Sequence, residues 1–98
     1  MKIYISGKIT DTDDYVERFT KAEKYLVEEY PDAKIVNPVC LSKKVESEII
    51  NPSWQDYMKE AICNLLECDA IYLIDGWQNS KGARLEYFIA SCLDFTFI

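Results

Sequence analysis

The apolar positions along the chain follow two periods, and the alternation between them sets the expected architecture. Lys2-Ile3-Tyr4-Ile5-Ser6 is a short β-prone run ended by Gly7, the pattern of a central strand. Tyr15, Phe19, Ala22 and Leu26 then recur at helical spacing, with Lys, Arg and Glu on the other face. Asp11 or Thr12 is placed to cap that helix, Asp13 and Asp14 suit its electropositive first turn, and Pro31-Asp32 stop it. Residues 33–36 read as a brief second strand closed by Asn37-Pro38. Residues 39–52 show no clean period and read as an irregular excursion, of the kind that serves as a lid or binding loop. Ser53 caps the next helix, which is predicted to bury a full stripe of Trp54, Tyr57, Met58, Ala61, Ile62, Leu65 and Leu66 before Cys68-Asp69 end it. Residues 70–74 are apolar on both faces, as in a parallel strand covered on both sides. A loop over 75–79 leads into a helix that starts near Ser80, presents Gly82, Glu86, Ile89 and Leu93 on one side, and closes at Asp94; residues 95–98 form a last strand.

This strand–helix alternation predicts an α/β fold: a parallel four-stranded sheet with right-handed crossovers and helices on both faces. With strands 2–6 and 70–74 both central, the expected order is 2-1-3-4. That is a truncated flavodoxin- or Rossmann-like three-layer sandwich, a single domain over 1–98. Ligands of such sheets sit beyond the C-terminal strand ends where the strand order switches, which puts residues 7–11 and 75–86 around one crevice.

Composition narrows the partners. A net charge of −6 argues against binding a nucleic-acid backbone, while a local nest of N–H groups and one lysine can still hold a small anion. With no histidine, His-based catalysis and His-ligated metals are excluded. Cys40, Cys63, Cys68 and Cys92 lack CxxC spacing, so no metal site or other cofactor is implied. Met1 runs directly into a strand with no signal-peptide pattern, so the expectation is reduced core thiols in the cytoplasm. No apolar run approaches the roughly 20 residues of a membrane span.

The chemistry concentrates at the two loops. Glu86, on the inward side of its helix, is a carboxylate that needs a reason to be there; the bland alternative is a dipole carboxylate paired with Lys81 or Arg84. Backbone N–H groups of the Gly7-Lys8-Ile9-Thr10 loop and of the Ser80–Gly82 helix start, the Ser6, Thr10 and Ser80 hydroxyls and the Lys8 ammonium are suitable donors for a phosphate. Tyr4 and Trp77 can stack on a base, with core packing the alternative for Tyr4. Asp75 sits at a strand's C-terminal end, and Trp54, Tyr57 and Met58 read as core; Asp56 and Glu60 read as a solvated face.

Met1-Lys2-Ile3-Tyr4-Ile5-Ser6-Gly7-Lys8-Ile9-Thr10, Ala22-Glu23, Asn37-Pro38, Trp54…Tyr57-Met58, Cys68-Asp69 and Gly76-Trp77…Ser80-Lys81-Gly82-Ala83…Glu86 together resemble one small uncharacterised family, frequent in bacteria and phages. That family is related to the nucleoside 2-deoxyribosyltransferases, whose superfamily includes the nucleoside-5′-monophosphate N-glycosidases. The resemblance to these enzymes rests on the first loop and on Ser80-x-Gly82-x-x-x-Glu86. It implies that Glu86 attacks the anomeric carbon of a nucleoside or nucleotide, as carboxylate nucleophiles do in glycosyl transfer. It also implies that the first loop, Ser80 and Gly82 hold a 5′-phosphate, and that a neighbouring subunit completes the site.

One departure bears on activity. Those enzymes carry a second carboxylate, an Asp, where this chain has Ala61. Glu60 is turned about 100° away around the helix, so Asp75 is the remaining candidate. In the first loop, Lys8 and Thr10 stand where the hydrolases have Ser and Arg. The two expectations are therefore an N-glycosidase or 2-deoxyribosyltransferase-like enzyme, and a noncatalytic nucleotide-binding module. A homodimer or higher assembly is expected from the apolar residues 54–58 and 95–98; an oligomerising domain without a ligand is the third reading.

Overall fold

Three residues of β1 pair with one neighbouring strand and four with the other, so this short strand carries the sheet. The computed structural model describes residues 1–9 and 13–98. β1 (Lys2–Ser6) lies between β2 (Lys34–Val36) and β3 (Ala70–Leu73), and β3 pairs on its far side with the two-residue β4 (Thr96–Phe97). All pairings are parallel and the order is β2-β1-β3-β4, as the sequence predicts for a flavodoxin-like α/β sheet.

Side chains alternate across β1, which divides the core in two. Ile3 and Ile5, with Ala70 and Ile74, meet Phe19, Ala22 and Leu26 of α1 (Tyr15–Glu29) on one face. Tyr4, with Ile71, meets Leu65 of α3 (Trp54–Leu66) and Ala90 of α4 (Lys81–Cys92) on the other. Tyr4 and Ser6, two positions apart, both point to the α3–α4 side and are fully buried. Gly7 must be glycine for packing: a Cβ there would stand 3.0 Å from Ile74 Cβ and 3.2 Å from the Phe19 ring.

Several expectations need correction. Residues 39–48 are not irregular, and only 49–52 lack regular structure: α2 spans Pro38–Glu48, started by Asn37, whose side chain accepts from the Val39 N–H, with proline at the first helical position. Only Pro38 and Val45 of α2 are buried, so it carries almost no apolar period to read. The cap of α1 is Asp14, not Asp11 or Thr12, which lie outside the described residues, and the Asp14 carboxylate accepts from Arg18 Nε at 3.1 Å. The α3 stripe is buried only at Leu65: Trp54, Tyr57, Met58 and Ala61 are half-buried because that part of α3 lines a cavity instead of the sheet, while Ile62 is half-buried and Leu66 54% exposed. On α4 the buried stripe is Ala83, Glu86 and Ala90, and Leu93 is half exposed. Of the four free thiols only Cys68 is in the core.

The chain leaves α4 through Asp94 at φ +56°, with Phe95 N bonded to Ala90 O and Asp94 N to Ser91 O, a left-handed helix end that feeds β4. Among the described residues no helix is long and apolar enough to cross a membrane.

Candidate functional site

A cavity of about 630 Å³ opens at the C-terminal end of β1. Its walls come from the loop after β1, the start of α1, one side of α2, and the N-terminal parts of α3 and α4 with Asn79 just before α4, and its size suits a small organic ligand.

Ser80 starts α4: its side chain accepts from the Ala83 N–H at 3.1 Å. The N–H groups of Lys81 and Gly82 fall in the first turn, where no intrahelical acceptor exists. Gly82 also makes room for α3, since a Cβ there would meet Met58 Sδ at 3.0 Å. Small residues at 83 and 90 let α4 approach the sheet closely, and that approach carries Glu86 down onto β1.

Glu86 is 5% exposed and forms part of the cavity wall. The Tyr4 hydroxyl donates to its Oε2 at 2.5 Å and the Ser6 hydroxyl to its Oε1 at 2.7 Å. No ion pair reaches it among the described residues: Lys81 lies over the Trp54 ring, 4.5 Å from the centroid, and Arg84 is exposed. Burial without a counter-cation pushes the Glu86 carboxyl up to about 7, against the downward pull of the two hydroxyl donors. The Tyr4 phenol is held well above its usual value by burial and by the carboxylate it serves. A carboxyl poised near neutrality on a cavity wall can act as nucleophile, base or acid.

The remaining predicted residues divide. Gly7, Lys8 and Ile9 line the cavity, and Arg18 Nη2 donates to the Lys8 carbonyl at 2.8 Å, fixing the loop to α1. Ser80 and Gly82 line it too. Ser6 lies beneath the wall with its hydroxyl committed to Glu86, and Tyr4 is both core and site. Thr10 lies outside the described residues. Asp75 and Trp77 are not brought in: Asp75 is exposed and off the wall, and Trp77 sits in a 3-10 turn (Trp77–Asn79) stacked on Tyr87 at 4.7 Å. Glu60, half-buried, pairs with Lys44 at 2.8 Å and accepts from Asn64, so it faces α2 instead of the cavity.

Sequence reasoning missed the wall contributed by α2 and α3. Leu41, Ser42 and Glu46 enter from α2, while Trp54, Tyr57 and Met58, read as core, line the cavity beside Ala61. The Asn37-Pro38 start signal was available to place α2. Among the described residues no group of three or more Cys, Asp or Glu side chains converges as a metal site would require.

A comparison with curated proteins finds no match. The profile of one family covers residues 1–97, and on that evidence the chain belongs to the family described as a domain of unknown function, DUF4406.

Proposed function

We propose that the cavity binds a nucleoside or nucleotide and that Glu86 acts on its N-glycosidic bond. The observation that carries this reading is the buried Glu86, uncompensated by any cation among the described residues and held in a cavity wall by Tyr4 and Ser6. The resemblance of the first loop and of Ser80-x-Gly82-x-x-x-Glu86 to deoxyribosyltransferase-like enzymes supports it. The ionised Glu86 attacks C1′ of the sugar. The C1′–N bond breaks with its electron pair on the base, which takes a proton that water supplies. In hydrolysis a water oxygen then attacks C1′, releasing the Glu86 carboxylate and one proton; in transfer a second base does so. Lys8, Lys81 and the start of α4 hold the phosphate or sugar.

Ala61 favours a second reading, a module that binds nucleotides without turning them over. It lines the cavity where the related enzymes have a carboxylate, and neither Glu60 nor Asp75 lines the cavity in its place. A panel of (deoxy)nucleosides and their monophosphates separates the two. Base release that is lost in Glu86→Ala supports catalysis, a rise in Tm without release supports binding alone, and neither effect sinks both.

Exposed Phe88, Leu93 and Phe97 support a homo-oligomer, which light scattering would show as a mass above that of one chain. The free thiols support a reducing, cytoplasmic setting.

A further inference from the structure

Besides Glu86, the cavity wall holds one more carboxylate among the described residues, Glu46 of α2. The Tyr57 hydroxyl, from α3, donates to its Oε2 at 2.9 Å, and Tyr57 stands one helical turn before Ala61 on the same wall. Glu46 takes part in no ion pair among the described residues. With the phenol proton pointed at Glu46, the pair offers the cavity acceptors only: the lone pairs of Glu46 Oε1 and of the Tyr57 oxygen.

Charge orients a nucleotide in this space. A phosphate is drawn to Lys8, Lys81 and the first turn of α4, and repelled by Glu46. The other end of the ligand then meets Glu46 and Tyr57. We infer that the Glu46–Tyr57 pair reads the base edge and selects a nucleobase that presents an exocyclic amino group. This rests on the nucleotide reading above. It is independent of whether Glu86 turns the ligand over, because it concerns recognition alone.

The test compares ligands that differ by one amino group. Adenosine 5′-monophosphate is titrated against purine riboside 5′-monophosphate, and guanosine against inosine 5′-monophosphate, by calorimetry with the wild type, Glu46→Ala and Tyr57→Phe. A hydrogen bond to a charged, partly exposed acceptor predicts about tenfold tighter binding of the amino-bearing member of at least one pair by the wild type. Glu46→Ala brings that ratio to about one, because only the amino-bearing member loses a hydrogen bond while both members are relieved equally of the Glu46 charge. Tyr57→Phe, which frees the carboxylate without removing it, keeps the preference, so loss of preference in Glu46→Ala cannot be assigned to a disturbed α2–α3 contact. Nucleotide binding with equal affinity within each pair, or a preference that survives Glu46→Ala, overturns this inference and leaves the nucleotide reading standing. No binding of any of the four overturns this inference, and no binding across the wider panel of (deoxy)nucleosides and their monophosphates overturns both.

Discussion

The hydroxyl of Tyr4 in the central strand and the carboxylate of Glu86 in the last helix are joined by a 2.5 Å hydrogen bond across 82 positions of sequence. The contact exists because parallel pairing sets Tyr4 and Ser6 on one face of β1, and because Ala83 and Ala90 let α4 settle onto that face. The burial that comes with it pushes the carboxyl up to about 7, against the downward pull of the hydrogen bond itself.

That titration links stability to pH. The folded-state value of about 7 lies above the ordinary 4.5, so the folded protein binds the proton more tightly than the unfolded chain does. The stabilisation from Glu86 is therefore fully present below about pH 4.5 and lost as pH rises through about 7. Glu86→Gln keeps the shape without the charge, with one hydroxyl still donating to the amide oxygen and the other accepting from the amide nitrogen. Its stability relative to wild type should grow between pH 5 and pH 8, by on the order of 3 kcal/mol. Urea unfolding at the two pH values measures it; equal differences at both would contradict the buried, unpaired acid.

Tyr4→Phe removes the donor to Oε2. With one downward influence gone, the Glu86 carboxyl should titrate above about 7, which a carbon-13 signal of its side chain reads directly. The loss should cost about 1–3 kcal/mol at pH 8, where the carboxylate is charged, and less at pH 5. A Glu86 titration that moves down in Tyr4→Phe would refute the assignment of the hydrogen bond.

The two glycines of the site should respond differently to alanine. At Gly7 the new Cβ meets Ile74 and Phe19 in the core, so Gly7→Ala should destabilise by about 1–3 kcal/mol. At Gly82 it meets the flexible Met58 thioether, and alanine is the better helix former, so the net change in stability should stay within about 1 kcal/mol. Met58 moves into the cavity to make room, and ligand affinity should fall. Thermal unfolding of the two variants checks the contrast.

The thiols offer a simple reading of the core. Burial pushes Cys68 up to about 11, while Cys40, Cys63 and Cys92 are exposed. A colorimetric thiol reagent should therefore count three fast-reacting groups in the folded protein and a fourth only on unfolding.

Most of the fold was legible because its signals are local. The β1 run, the apolar 70–74 segment and the helix between Ser80 and Asp94 carry clear periods and caps, and with right-handed crossovers they suffice for the 2-1-3-4 order. α2 was not legible, because its burial rests on Pro38 and Val45 and its remaining surface is polar. The α3 stripe misled for a related reason: an apolar wall of a cavity and an apolar face against a sheet have the same period. Glu86 stands out in the sequence as an inward acid, but its partners do not, since nothing local to Tyr4 or Ser6 tells a hydroxyl that serves a ligand or the core from one that serves a carboxylate 80 or more positions away. Asp75 and Trp77 follow β3 in sequence, yet the turn at Gly76, φ +90°, and the start of the 3-10 segment keep both off the cavity wall, which the chain reaches only at Asn79.

The central claim, that Glu86 acts on an N-glycosidic bond, is met most directly by the pH profile of base release. Deoxynucleoside monophosphates are incubated with wild type and Glu86→Gln from pH 5 to pH 9, and free base is quantified by chromatography. A nucleophile that must be ionised predicts release that rises through about pH 7 to a plateau and is absent in Glu86→Gln. No release at any pH, or release that Glu86→Gln preserves, would contradict the account.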